Sequence, residues 1–167
     1  MSRSRTIRAF VICYNEALAA HLMNMASPEI QKLAGRLLAF EAAQGVASNG
    51  HADVAVRVID ALRVQLVRLA GVHGFQSLLS RALTLAKAEI PALHIVQTRD
   101  DGSLKGFDKI EQSEEAGTAE QAGTVLITHL LGLLITFIGE PLTLRLVQNT
   151  WPDNSTGQAD LNTEEKL

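Results

Sequence analysis

The stretch TVLITHLLGLLITFIGEP, Thr124 to Pro141, limits what this chain can fold into more than any other. Up to Gly139 it holds no Asp, Glu, Lys or Arg, and its apolar residues fall on every side of a helix. A helix apolar all round belongs at the centre of a bundle or in a bilayer. The uncharged run of roughly 15 to 19 residues sits at the lower edge of what a membrane span needs. His129 near its middle, the absence of a basic residue at its entry, and an exit through Glu140 and Pro141 all argue against a span, and no aromatic belt occurs before Trp151. The expectation is therefore a buried helix of a water-soluble protein, not a membrane protein.

Composition decides the company this helix keeps. The chain of 167 residues is 47% apolar and 20% charged, enough for one hydrophobic core without disulfides or metals. Aromatic residues make up only 4%, so Leu, Ala, Val and Ile must fill that core, which favours packed helices over a sheet sandwich. A net charge of −3 and the lack of any Lys/Arg cluster with interleaved aromatics predict no nucleic-acid partner. Cys13 is the single cysteine, so no internal disulfide or CxxC metal pair can form. The N-terminus starts with basic residues as an export signal does, but Asn15 and Glu16 interrupt its apolar part. Together these features predict a cytoplasmic protein.

The rest of the chain reads as a succession of amphipathic helices. Phe10, Tyr14, Leu18, Leu22 and Met25 recur at helical spacing from Thr6 to Met25. Ser27-Pro28-Glu29 supplies an N-cap, a proline in the first turn and an acid there, opening a helix that Gly45 ends, with Ile30, Leu33, Leu37, Phe40 and Glu41 on one side. A third helix from His51 carries Val54, Val58, Ala61, Leu62, Gln65 and Leu69 on one stripe, with its arginines read as a solvated face. Gly71 and Gly74 break the chain before a fourth helix bearing Phe75, Leu79, Ala82, Ala86 and Ile90, which Pro91 terminates.

Between residues 94 and 106 the pattern changes, and Asp101-Gly102 marks a tight turn able to join two short strands. An acidic loop then leads into the central helix near Ser113. Gly139 and Pro141 end that helix, and the segment after Pro141 is read as a further helix in preference to a strand. Residues 152–167 are polar and are predicted to form a disordered tail to a single domain spanning 1–151.

The fold class expected is thus all-α, mainly helical: about six helices around a central hydrophobic one, with a small β-hairpin near 94–106. His129 is the residue whose chemistry needs explaining. On a helical wheel it shares a stripe of mostly small residues with Gly132, Thr136 and Gly139, a candidate groove in which another helix bearing a polar partner for the imidazole would pack. No catalytic motif, phosphate-binding loop or metal-ligand spacing accompanies it, so no metal, cofactor or catalytic residue is assigned.

The function expected is a non-enzymatic interaction or regulatory module that forms a homo-oligomer or docks a protein partner. Two alternatives stay open. One is a histidine phosphotransfer protein using His129, although the lysine usual after such a histidine is missing. The other is a bundle that binds a small molecule or cofactor beside the central helix.

Overall fold

The computed structural model describes residues 27–45, 50–112 and 117–152. The helix expected over Thr6–Met25, residues 46–49, the acidic residues around Ser113 and the tail beyond Pro152 lie outside the described residues.

Helix α1 (Pro28–Gln44) begins as its sequence dictates: the Ser27 hydroxyl accepts the Ile30 N–H at 3.4 Å, and Pro28 occupies the first turn. Ile30, Ala34 and Leu37 are its buried face. Helix α2 (His51–Glu89) consists of two helices joined across a kink at Gly71, whose φ of 74° and ψ of 172° are not helical. The sequence reading of two helices parted at Gly71 survives as two arms of this element. Arg63 on the first arm and Phe75 on the second both lie against Gly102, so the arms fold back on each other.

The first arm buries Ala52, Val54, Ala55, Val58, Ile59, Leu62 and Leu66. Leu69, expected on the buried stripe, is instead 61% exposed. It belongs to the last turn before the bend, where Arg68, Ala70 and Gly71 are exposed as well.

The second arm ends at Glu89, and Pro91 opens a 3-10 turn, Pro91–Ile95. Strands β1 (Gln97–Thr98) and β2 (Leu104–Lys105) then pair antiparallel, Gln97 with Lys105 and Thr98 with Leu104. Two-stranded ribbons are marginal alone in water. This one is tied to α2 by Ser80 Oγ and Thr98 Oγ1 at 3.0 Å and by Arg63, which donates to the Asp101 carbonyl at 3.3 Å. In the turn, Asp101 accepts from the Ser103 hydroxyl at 2.7 Å and the Ser103 N–H at 2.9 Å, and these bonds hold its carboxyl below the usual aspartate range.

The segment read as an acidic loop contains a short helix, α3 (Asp108–Glu111), placed by the buried side chains of Phe107 and Ile110. Helix α4 (Thr118–Ile138) starts after Gly117, whose φ of 88° and ψ of −10° are left-handed, and so begins later than the entry expected near Ser113. Helix α5 (Glu140–Thr150) follows at once, with Gly139 at φ 84° as the junction and Pro141 in the first turn. The described residues are therefore mainly α-helical, with one two-stranded sheet among them.

Helix α4 packs chiefly on α2, with α1 and α5 as its other principal neighbours. All nine residues from Leu126 to Leu134 are buried. The crossing is close where it needs to be: a Cβ added at Gly123 would stand 2.8 Å from the Ala55 Cβ. Glycine there lets the α4 backbone approach α2.

Candidate functional site

The imidazole of His129 projects from the buried stretch of α4 toward the end of α2. Its Nε2 lies 2.7 Å from Glu89 Oε1, and the ring side chain is 6% exposed against 49% for Glu89. A carboxylate only accepts, so Nε2 carries the hydrogen of this bond. In the neutral ring Nδ1 is then a bare acceptor, and it is buried with no hydrogen-bond partner. Glu89 is the last residue of α2, where the helix carbonyls make a carboxylate unfavourable. The imidazole N–H offsets that repulsion, and the carboxylate satisfies Nε2 but not Nδ1.

The threonines along α4 do not take part. Thr128 donates to the Thr124 carbonyl at 2.7 Å and Thr136 to the Gly132 carbonyl at 2.9 Å, each along its own helix. Of the four residues proposed to share a groove, His129 and Gly132 are buried, Thr136 is exposed and Gly139 is half-buried at the junction with α5. The stripe thus passes from a closed half, where Glu89 meets the imidazole, to a half at the surface beside Phe137 and Leu142.

The pair makes a sharp prediction about stability. Glu89→Ala strands both ring nitrogens in the core and should cost about 1–3 kcal/mol. His129→Leu removes the ring together with its unpartnered Nδ1 and should be neutral or stabilising. Urea unfolding of both variants checks this inversion, and a His129→Leu protein weaker than Glu89→Ala would contradict it.

A second constellation joins α5 to α1 and α2. The Trp151 indole donates to Glu41 Oε1 at 2.7 Å, and Glu41 Oε2 lies 3.7 Å from Arg57 Nε. Arg57 also donates to the Glu41 carbonyl at 3.1 Å. Beside them an open cavity of about 200 Å³ is lined by Phe40, Glu41, Gln44, Ala61, Thr150, Trp151 and Pro152. Glu41 falls on the apolar side of α1 by its spacing alone, and an acid on an apolar face is the signal that it has a partner. Glu89 and Glu111 carry no such signal. Glu111 reaches the start of α2, accepting the His51 N–H at 2.7 Å and the Ala52 N–H at 3.2 Å.

The other histidines among the described residues are not drawn toward His129: His51 opens α2, and His73 and His94 are exposed. Among the described residues no group of three His, Cys, Asp or Glu side chains is placed to hold a metal ion. No family model, curated protein or solved structure matches this chain.

Proposed function

We propose that this chain is a non-enzymatic cytoplasmic interaction module that pairs with a second copy through the corner between α4 and α5. The observation that carries this reading is Phe137, 65% exposed, with Leu142 44% exposed just across the Gly139 junction. The central helix is covered as far as Leu134, and its apolar surplus begins beyond that point. A phenylalanine side chain brings a large apolar area to an interface, and a two-fold axis at the corner would bring two copies of each residue together. In this reading the finer architecture is a bundle of about six helices, with α4 at its centre.

Helix α4 is also long and apolar enough to cross a membrane, but 61% of its most apolar window is buried, which favours the bundle centre. Burial of the His129 ring, with Glu89 on Nε2, stands against phosphoryl transfer, which needs a nitrogen open to a partner's aspartate. The cavity beside Trp151 favours small-molecule binding as a second reading, yet at about 200 Å³ it is smaller than the roughly 300–1,000 Å³ typical of ligand sites.

Light scattering tests the proposal. The expected mass is twice 18.0 kDa at high concentration and falls toward the monomer on dilution. Phe137→Asp should stay monomeric throughout with an unchanged circular dichroism spectrum. A wild-type monomer at every concentration would overturn the proposal.

A further inference from the structure

We draw no further inference here: the strongest candidate, the exposed apolar side chains of Val64, Leu69 and Val72 on the two sides of the bend of α2, carries nothing because nothing in the structure shows what covers them.

Discussion

Trp151→Ala is expected to destabilise the protein by about 3–5 kcal/mol, the usual cost of deleting a buried aromatic side chain. The residue is 4% exposed and closes the end of α5, where its own N–H caps the helix by bonding to the Val147 carbonyl at 2.9 Å. Its indole is the fastening between α5, α1 and α2, because Glu41 takes the indole N–H on one oxygen and faces Arg57 with the other. Truncation therefore opens a cavity and also removes the donor from a carboxylate whose side chain is only 18% exposed. Trp151→Phe separates these two losses. It keeps most of the apolar contact and should cost less, about 1–3 kcal/mol, mainly for the oxygen left without a donor. Since Trp151 is the single tryptophan, unfolding should be followed by far-ultraviolet circular dichroism in urea. A Trp151→Ala midpoint within error of wild type would mean that α5 is not docked as described.

Gly50→Ala is expected to cost about 2–5 kcal/mol, for two separable reasons. Gly50 adopts φ 132° and ψ −180°, a region that side chains with a Cβ rarely enter. A Cβ there would also overlap the Glu111 carboxylate, which must then leave the first N–H groups of α2. That carboxylate does what an N-cap side chain ordinarily does, since Gly50 offers none, and its negative charge suits the helix start. Glu111→Ala alone should cost about 1–2 kcal/mol. The double variant should be less destabilised than the sum of the two singles, because the overlap vanishes with the carboxylate while the backbone strain remains. Simple additivity in that cycle would contradict the placement of Glu111 over Gly50.

These two predictions also divide what the sequence reveals from what it hides. The start of α1, the bend of α2, the stop before Pro91, the hairpin turn and the α4–α5 junction are all legible, because Ser27-Pro28, Gly71, Pro91, Asp101-Gly102 and Gly139-Pro141 act on their own backbone. The continuous apolarity of Thr124–Ile138 likewise announces a buried helix, and residues 126–134 are its covered core. The site is less legible because its contacts join distant parts of the chain. Glu89 and His129 are 40 residues apart, Glu111 and His51 60, and Glu41 and Trp151 110. Periodicity reports which face of a helix is apolar but not which acid another element delivers to it. Leu69 marks the same limit from the other side: its spacing matches the buried stripe, but the bend at Gly71 leaves its turn without a helix to cover it.

Amide hydrogen exchange, read residue by residue along α4 and α5 at low and high protein concentration, tests the central claim most directly. The expected result is that Leu126 to Leu134 exchange slowest and at the same rate at both concentrations, as the core of each folded copy. Protection from Ile135 through Leu142 should rise with concentration, as the corner carrying Phe137 is covered by a second copy. Exchange in the middle of α4 as fast as at its ends, or protection at the corner that ignores concentration, would contradict the account.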